Sequence, residues 1–563
     1  MKSMIEVVSA LICVTADDRS TSFPHKRESS FSVHPWTPVC AAMTSLNTLG
    51  VVAFMSILAH AAPVFAASPA DLYQQHCATC HGGNRLGAMG PALLPENLER
   101  LRKSEALKIL RSGRPATQMT GFENTLSPEE SQQLVDWIYT PVTPPPTWPD
   151  AQMQASRIVH HAPGSLPDRP AAALDKIDLL NLFIVVEAGD HHISILDGDR
   201  LERIHRFPSR FALHGGPKFT PDGRYVFFAS RDGWVSKFDL WNLKTVAEIR
   251  VGINTRNVAV SGDGKYVMAA NYLPHTLVLL DAELKPLKTI EARSMKGDKT
   301  SRVSAIYDAA PRKSFIAAMK DINELWEISY DPHAEPVYEG LVHDFRMGEG
   351  NPMPGQFYPR RTLLEDVLDD FFFDASYEHV IGASREGGRG QVVNLDARKK
   401  IADIPLPGMP HLGSGITWQW QGRTVLASPN LKEGVVSVID MKDWQPVKQI
   451  ATLGAGFFMR SHEKSRYAWV DSMMSPNKDT LQVIDKETLD IVARLRPVPG
   501  KTLAHIEFTR DGRYALASLW EQDGALIVFD AATLKEVKRI PAAKPVGKYN
   551  VFNKINRSEG TSH

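Results

Sequence analysis

The chain has 563 residues, and its 64 Lys and Arg balance 64 Asp and Glu, so the formal net charge is zero. A protein without a net positive field is poorly suited to bind a polyanion such as a nucleic acid. Hydrophobic residues make up 43 % and charged residues 23 %, which excludes wholesale disorder, and four cysteines are too few for a disulfide scaffold.

The N-terminal segment carries one long apolar run at residues 51–67. A histidine and a proline interrupt it and it ends in small residues, which is typical of a secretory signal with its cleavage site rather than of a membrane span. We therefore expect residues 1–66 to be a leader and the mature protein to be periplasmic, with an uncleaved membrane anchor as the alternative. Cleavage would remove Cys13 and Cys40.

The strongest motif follows directly: Cys77-Ala78-Thr79-Cys80-His81. C-x-x-C-H is the attachment signature of haem c, because two thiols at this spacing can bond the two vinyl groups of one porphyrin and the next histidine can ligate its iron. A redox dithiol is expected within a βαβ unit, and a zinc site requires a second Cys/His pair. The sequence shows neither feature around this motif. We predict covalent haem c on Cys77 and Cys80, with His81 as an iron ligand.

Helix signals surround this motif. Ser68 before Pro69 predicts a helix up to His76, and Ser104 predicts the start of a second helix. The capping box that begins at Ser127 predicts a third. We therefore predict an all-α class I cytochrome c domain over residues 67–140.

Methionines supply the candidates for the remaining haem c ligand. A thioether on the loop before the last helix is a usual sixth ligand to haem iron. Met119 lies on that loop, and we predict that it ligates the iron, with a core-packing role as the alternative. Met89 is expected to pack against the haem.

A two-part unit of about 44 residues repeats in the second half of the chain. One part is an apolar stretch ending in aspartate, and the other is a turn signal such as Asp-Gly some 17 residues earlier. An all-β period of this length is typical of a propeller. Two weaker copies bring the count to eight units, so we predict an eight-bladed all-β propeller over residues 178–555. A Pro-rich linker at 141–177 should precede it, a tail at 556–563 should follow, and residues of about 332–372 should form an insertion.

Basic and imidazole side chains occupy equivalent positions in five units. The innermost strand of a blade leads into its turn, so positions about 6–10 residues before the turns should converge on the central mouth. These positions hold His214, Arg256, Arg302, His411 and His505. Because Arg pairs bidentately with carboxylates and His ligates iron or moves protons, the set predicts a funnel for a carboxylate-bearing tetrapyrrole. Solvent-exposed loop residues with no ligand are the alternative.

At these residues the sequence resembles the cytochrome cd1 family, in which a haem c domain precedes an eight-bladed haem d1 propeller. The resemblance covers nearly all of residues 68–555. The segment Phe211-Ala212-Leu213-His214 resembles the one that carries the proximal haem d1 ligand. The segments around Arg231 and Arg256 resemble those whose arginines hold haem d1 carboxylates, and residues 271–274 and 547–553 are also similar.

One departure from the family pattern bears on function. The nitrite reductases of this family carry two distal histidines; His411 has the position of one, while residues 363–368, where the other should fall, contain no histidine. The resemblance therefore favours the dihydro-haem d1 dehydrogenase branch, which oxidises one propionate of the precursor to an acrylate. A nitrite reductase that forms nitric oxide and a non-enzymatic haem d1 carrier are the alternatives.

The resemblance implies roles for the funnel residues. His214 and His411 are expected to ligate the iron of non-covalently bound haem d1 or dihydro-haem d1, and spacing alone does not decide which is proximal. The carboxylates of the ring are expected to be held by Arg231, Arg256, Tyr272 and Arg302.

His505 is the expected catalytic base, Tyr549 is expected to orient it or the propionate, and His411 is a further catalytic candidate. The expected partners are a soluble electron acceptor such as a small cytochrome and, as a recipient of haem d1, cytochrome cd1 nitrite reductase.

Overall fold

The computed structural model describes residues 67–88, 90–99, 101–114, 119–339, 351–384 and 388–556. The predicted leader 1–66 with its two cysteines, Met89 and residues 557–563 of the predicted tail lie outside these ranges. Within the described ranges, no helix is long and apolar enough to cross a membrane.

The first part is helical, as predicted. Its elements are α1 (Pro69–His76), α2 (Ala78–His81), α3 (Pro95–Leu98), α4 (Lys103–Ser112) and α5 (Pro128–Ile138). The capping boxes at Ser68 and Ser127 both form and begin α1 and α5. The second helix begins one residue earlier than predicted, with Arg102 as its N-cap residue and no side-chain cap, so Ser104 lies inside α4.

The predicted linker is packed on the propeller along much of its length. It contains α6 (Asp150–Ala155), the short strand β1 (Ile158–Val159) and a 3₁₀ turn at Ala172–Leu174. The indole Nε1 of Trp148 donates a hydrogen bond of 2.8 Å to the carbonyl of Arg250, and Met153 is fully buried. Val142, near the start of the linker, also packs against an apolar cluster, so the linker is anchored at both of these points.

The rest of the described chain forms eight antiparallel sheets, the blades of the predicted propeller. Blade 1 consists of β35 (Pro545–Asn550), β2 (Leu182–Glu187), β3 (His192–Asp197) and β4 (Glu202–Pro208), and blade 2 of β5 (Leu213–Phe219), β6 (Tyr225–Ser230), β7 (Trp234–Asp239), β8 (Lys244–Arg250) and β1. Blade 3 consists of β9 (Asn254–Val260), β10 (Tyr266–Leu273), β11 (Thr276–Asp281) and β12 (Pro286–Glu291), and blade 4 of β13 (Val303–Ala309), β14 (Ser314–Met319), β15 (Glu324–Ser329) and β18 (Pro359–Leu363).

Blades 5 to 8 follow in chain order. Blade 5 consists of β19 (Leu368–Phe373), β20 (His379–Ser384), β21 (Arg389–Asn394) and β22 (Lys399–Pro405), and blade 6 of β23 (Ile416–Trp420), β24 (Arg423–Pro429), β25 (Val435–Asp440) and β26 (Pro446–Ala451). Blade 7 consists of β27 (Met459–Arg460), β28 (Tyr467–Asp471), β29 (Leu481–Asp485) and β30 (Ile491–Leu495), and blade 8 of β31 (Leu503–Phe508), β32 (Tyr514–Leu519), β33 (Ala525–Asp530) and β34 (Glu536–Pro541).

The ends of the propeller chain meet in blade 1. Strand β35, the last of the chain, pairs with β2, the first long strand, with Tyr549 opposite Ile184 and Lys548 opposite Val185. The short helix α7 (Val551–Asn556) follows and contacts β2 and β5. The first strands of blades 1 to 5 contact one another in turn, as do those of blades 7, 8 and 1, so these strands lie around a common axis.

The predicted insertion at 332–372 is wrong in its second half. A two-stranded hairpin, β16 (Val337–Glu339) and β17 (Asn351–Met353), does stand apart from the blades. Residues 359–373, however, supply β18 of blade 4 and β19 of blade 5. Their charged residues break the apolar pattern by which the other blade strands are recognised.

Candidate functional site

The haem c motif lies at a cavity of about 360 Å³. Cys77, His81 and Met119, three of the four predicted haem c residues, line it together. The His81 ring bonds through Nδ1 to the carbonyl of Pro91 at 2.8 Å. A carbonyl can only accept, so Nδ1 carries the proton and Nε2 keeps its lone pair for a metal.

The surroundings of His81 support this role. Burial lowers the pKa of His81, which keeps the imidazole in the neutral form that binds metals. A Cβ at Gly90 would lie 2.9 Å from Cε1 of the His81 ring, so glycine is needed for the loop to pass so closely. Tyr73 donates a hydrogen bond of 2.7 Å to the carbonyl of Gly82. One thiol, an oriented imidazole and a thioether at one cavity fit covalent haem c, and the second thiol, that of Cys80, lies three residues along the chain from Cys77.

The propeller supplies the other wall of this cavity, through Phe211, Ala212, Arg231, Asn254 and Tyr272. Ala212 precedes His214 by two residues in the same strand region. The haem c cavity therefore borders the mouth of the propeller at the segment that leads into the funnel.

His214 and Arg256 meet at this mouth from blades 2 and 3. His214 Nδ1 bonds to the carbonyl of Arg256 at 2.9 Å, and the Arg256 guanidinium lies against the imidazole ring. The two residues sit near the starts of β5 and β9, which is where the repeat placed them. Nε2 of His214 contacts the Arg256 guanidinium and not a carbonyl.

Cations gather around one aromatic ring beside this pair. Their charged groups lie 5.3–5.9 Å from the centroid of the Tyr272 ring, and the set consists of Arg231, Arg256, Arg302 and Lys320. Burial by itself would raise the pKa of Tyr272, but Arg256 and Lys320 outweigh it and the net pKa is lowered. Such a cluster provides a binding region for carboxylates.

Arg302 has carboxylate partners within the chain. Its guanidinium bonds to Asp321 at 2.7 Å and to Glu99 of the cytochrome domain at 2.5 Å. It therefore lies on the rim of the funnel where the two domains touch. Lys320 is paired in a similar way with Asp369, at 3.0 Å.

His411 stands in front of blade 6. Its Nδ1 bonds to the carbonyl of Phe457 at 2.8 Å, and the two rings lie 4.2 Å apart. Burial lowers the pKa of His411, although Asp370 opposes the shift. His411 is thus held neutral, again with Nε2 free of a carbonyl partner.

His505 lies at a bulge in β31, between Ala504 and Ile506. Its backbone φ is 48°, in the left-handed region that few non-glycine residues adopt. The side chain is 3 % exposed. Burial and the nearby Lys548 hold the pKa of His505 well below its usual value, so the ring is neutral.

Tyr549 packs beside His505, with ring centroids 5.1 Å apart. Two glycines make room for its ring: a Cβ at Gly216 would lie 3.1 Å from Cε1, and one at Gly547 would lie 2.6 Å from the hydroxyl. Burial raises the pKa of Tyr549 to about 12, so the phenol is protonated. Gly216 is two residues after His214. Tyr549 therefore lies between the segment that carries His214 and the side chain of His505.

Sequence reasoning missed several members of this ring. Asp370 of β19 accepts a hydrogen bond of 2.9 Å from Tyr307 of β13 and acts electrostatically on His411 and Arg256. The Phe458 ring packs against His505 in a tilted arrangement, with ring centroids 4.8 Å apart. With them all eight blades contribute to one site. The acidic residues at 365–370 carry a signal for Asp370, but they fall inside the predicted insertion.

A haem c domain joined to an eight-bladed propeller with a histidine- and arginine-lined mouth defines a class of two-cofactor protein, and comparison with known proteins agrees. The chain matches the Cytochrome D1 heme domain family over residues 177–343 and 352–554 and belongs to it. Residues 65–138 match the family of Cytochrome C oxidase, cbb3-type, subunit III.

Individual relatives give a finer comparison. The chain is 52 % identical over 493 residues to the dihydro-heme d1 dehydrogenase of Pseudomonas aeruginosa, covering 87 % of this chain and 95 % of that protein. A solved structure of dihydro-heme d1 dehydrogenase NirN in complex with DHE aligns at 52 % identity with a TM-score of 0.80, over 87 % of this chain and 100 % of that one. A nitrite reductase of Stutzerimonas stutzeri is 26 % identical over 92 % of this chain and 98 % of its own length.

Proposed function

We propose that this chain is a periplasmic dihydro-haem d1 dehydrogenase that oxidises one propionate of its tetrapyrrole substrate to an acrylate and passes the electrons to covalent haem c. The observation that carries the proposal is the ring of imidazole and guanidinium groups from separate blades beside a cavity that holds the haem c motif. The similarity to a dehydrogenase over nearly its whole length supports the same reaction.

Binding of the substrate is assigned to the two sides of the funnel. A carbonyl holds Nδ1 of both His214 and His411, and we assign their Nε2 atoms as the groups that would ligate the substrate iron. At His214 the Arg256 guanidinium, which contacts Nε2, would then have to give way to the iron. The cations around Tyr272 hold the carboxylates. Arg231 and Arg256 do so from inside the funnel. Arg302 would do so from the rim by exchanging Asp321 or Glu99 for the substrate carboxylate.

The reaction removes two hydrogens from adjacent carbons. A –CH₂–CH₂–CO₂⁻ group becomes –CH=CH–CO₂⁻ and releases two electrons and two protons, one of which passes to His505 and the other to solvent. His505 takes a proton on Nε2, since Lys548 lies 3.5 Å from Nδ1, and its neutral form is the one that can accept. Tyr549, protonated beside it, donates a hydrogen bond that orients the propionate. Cys77 and Cys80 would hold haem c, which would supply a one-electron acceptor from which the electrons would pass to a soluble acceptor such as a small cytochrome.

The test is conversion of the substrate by the purified holoprotein. Dihydro-haem d1 and a small cytochrome are added without oxygen, and the tetrapyrrole is followed by absorption and mass. We expect a product lighter by two hydrogen atoms, with the acceptor reduced in proportion. Tight binding without a mass change would indicate a carrier that delivers haem d1 to nitrite reductase, and nitric oxide formation from nitrite would indicate a reductase; either result alone would refute the proposal.

A further inference from the structure

One buried carboxylate in blade 7 is bonded to the segments that hold two funnel histidines. Asp471, at the end of β28, is fully buried. It accepts hydrogen bonds from the backbone amides of Phe457 at 2.7 Å and Phe458 at 3.1 Å. The amide of Met473 is 3.4 Å away, and the backbone of His505 adds a further hydrogen bond.

Phe457 and Phe458, which Asp471 anchors, contact the two funnel histidines His411 and His505. The carbonyl of Phe457 fixes Nδ1 of His411 at 2.8 Å, and its ring packs on the same imidazole. The ring of Phe458 packs on His505 at 4.8 Å. Asp471 therefore acts on His411 in blade 6 and on His505 in blade 8 through one short segment.

The local backbone shows why the anchor is needed at His505. A bulge leaves a residue outside the regular hydrogen-bond ladder, so its N–H and C=O must find other partners. The backbone of His505 bonds to Asp471, and its carbonyl accepts from the Nζ of Lys548, which also donates to Ser518 at 3.0 Å. These two contacts hold His505 in the left-handed conformation.

We propose that Asp471 is a positioning residue that sets His411 and His505 together, so that the iron ligand and the base are aligned by one group. The proposal rests on the proposed function for the roles of the two histidines. It assigns a function to a carboxylate that contacts neither imidazole directly.

The first test is Asp471→Asn. The amide keeps one acceptor oxygen but turns an NH₂ donor toward the other backbone N–H, so one anchoring bond is lost without a change in size. We expect kcat to fall about 10–100-fold, as for loss of other groups that orient ligands. We also expect the absorption and electron paramagnetic resonance spectra of bound ferric haem d1 to change, because the His411 side is displaced.

The matched control is Asp485→Asn in the same blade. Asp485 is also buried and accepts a backbone amide, that of Glu487, at 2.9 Å, but it lies at the other end of β29 from the funnel. This variant should keep wild-type spectra and kcat. Equal changes in both variants would show that blade 7 is only destabilised, and unchanged spectra in Asp471→Asn would overturn the proposal.

A second variant leaves the buried charge in place. A Cβ at Gly456 would overlap the carbonyl oxygen of Asp471, so Gly456→Ala should push the Phe457 segment away and reproduce the spectral change. It decides the matter if Asp471→Asn does not fold: a wild-type spectrum in Gly456→Ala would then contradict the proposal. The spectra report ligation and not turnover, so they remain decisive even if the wild-type protein fails to oxidise dihydro-haem d1.

Discussion

At the scale of single residues, His505 shows how the fold prepares a base. An unpaired histidine at a surface would be partly protonated near neutral pH. Here burial and the proximity of Lys548 keep it neutral, while the bulge aims it at Tyr549. Its position depends on contacts with blades 1 and 7, which its own strand does not provide.

The prediction at this scale concerns His505→Asn. Asparagine tolerates the left-handed backbone at this position, so the bulge should survive while the imidazole is lost. We expect kcat for the dihydro precursor to fall roughly 10²–10⁴-fold, with the Kd for haem d1 close to that of the wild type. Single-turnover absorption spectroscopy measures the rate, and titration of haem d1 measures the Kd.

His462→Asn is the matched control for this change. His462 is fully buried too, but it packs near Gly512, at the turn end of the blades and away from the funnel. Its replacement should leave turnover at the wild-type rate. Wild-type turnover in His505→Asn would remove His505 from the mechanism.

At the scale of elements, the cytochrome helices show what local sequence decides. In α1 and α5 a serine, a proline and an acidic residue stand in the capping arrangement, and both helices begin at those residues. In α4 a serine followed by glutamate gives a similar but weaker signal. The helix begins one residue before this serine, at Lys103, and no side chain caps it. A start signal is therefore decisive only where its side chain reaches the third amide beyond it.

This difference predicts that two serine substitutions change the stability of the cytochrome domain by different amounts. Ser127→Ala removes a bond of 3.1 Å to the amide of Glu130 and should lower the free energy of unfolding of the cytochrome domain by about 0.5–2 kcal/mol. Ser104→Ala replaces an exposed residue inside α4 and should change it by less than about 0.5 kcal/mol. Denaturant titration followed by haem c absorbance measures both values, and equal effects would contradict the assignment of the caps.

At the scale of the whole molecule, the two domains share a polar and an apolar contact. Arg250 donates to the carbonyl of Leu86, and Arg302 pairs with Glu99. An apolar cluster between the domains contains Ala92, Leu94, Ile253 and Leu273. The haem c cavity is therefore closed by the propeller itself, and its distance from the funnel is set by packing and not by the linker.

The repeat was enough to predict the number of blades, because each blade repeats the same order of strands and turns. His214 and Arg256 also lie near the starts of β5 and β9, where the repeat places them. It could not predict Asp370 or Asp471, whose roles arise from packing between blades. Nor could it show that Arg302 bonds to Glu99, about 200 residues earlier in the chain.

Closure of the ring by β35 leads to the last prediction. This strand is the innermost one of blade 1 and supplies Lys548 and Tyr549, and Val551 just after it is fully buried. Deletion of residues 545–563 should expose the unpaired edge of β2. Loss of a buried valine alone costs about 1.5–3 kcal/mol, and the hydrogen-bond ladder between β35 and β2 is lost with it.

We expect this truncation to abolish the cooperative thermal transition of the propeller and the binding of haem d1, while the haem c absorbance of the helical domain is retained. Circular dichroism and visible absorption, recorded during one melt, separate the two domains. Deletion of residues 557–563 alone leaves every described strand in place and should melt like the full chain. A cooperative propeller transition in the longer deletion would contradict this prediction. It would show that the propeller closes with only three strands, β2 to β4, in blade 1.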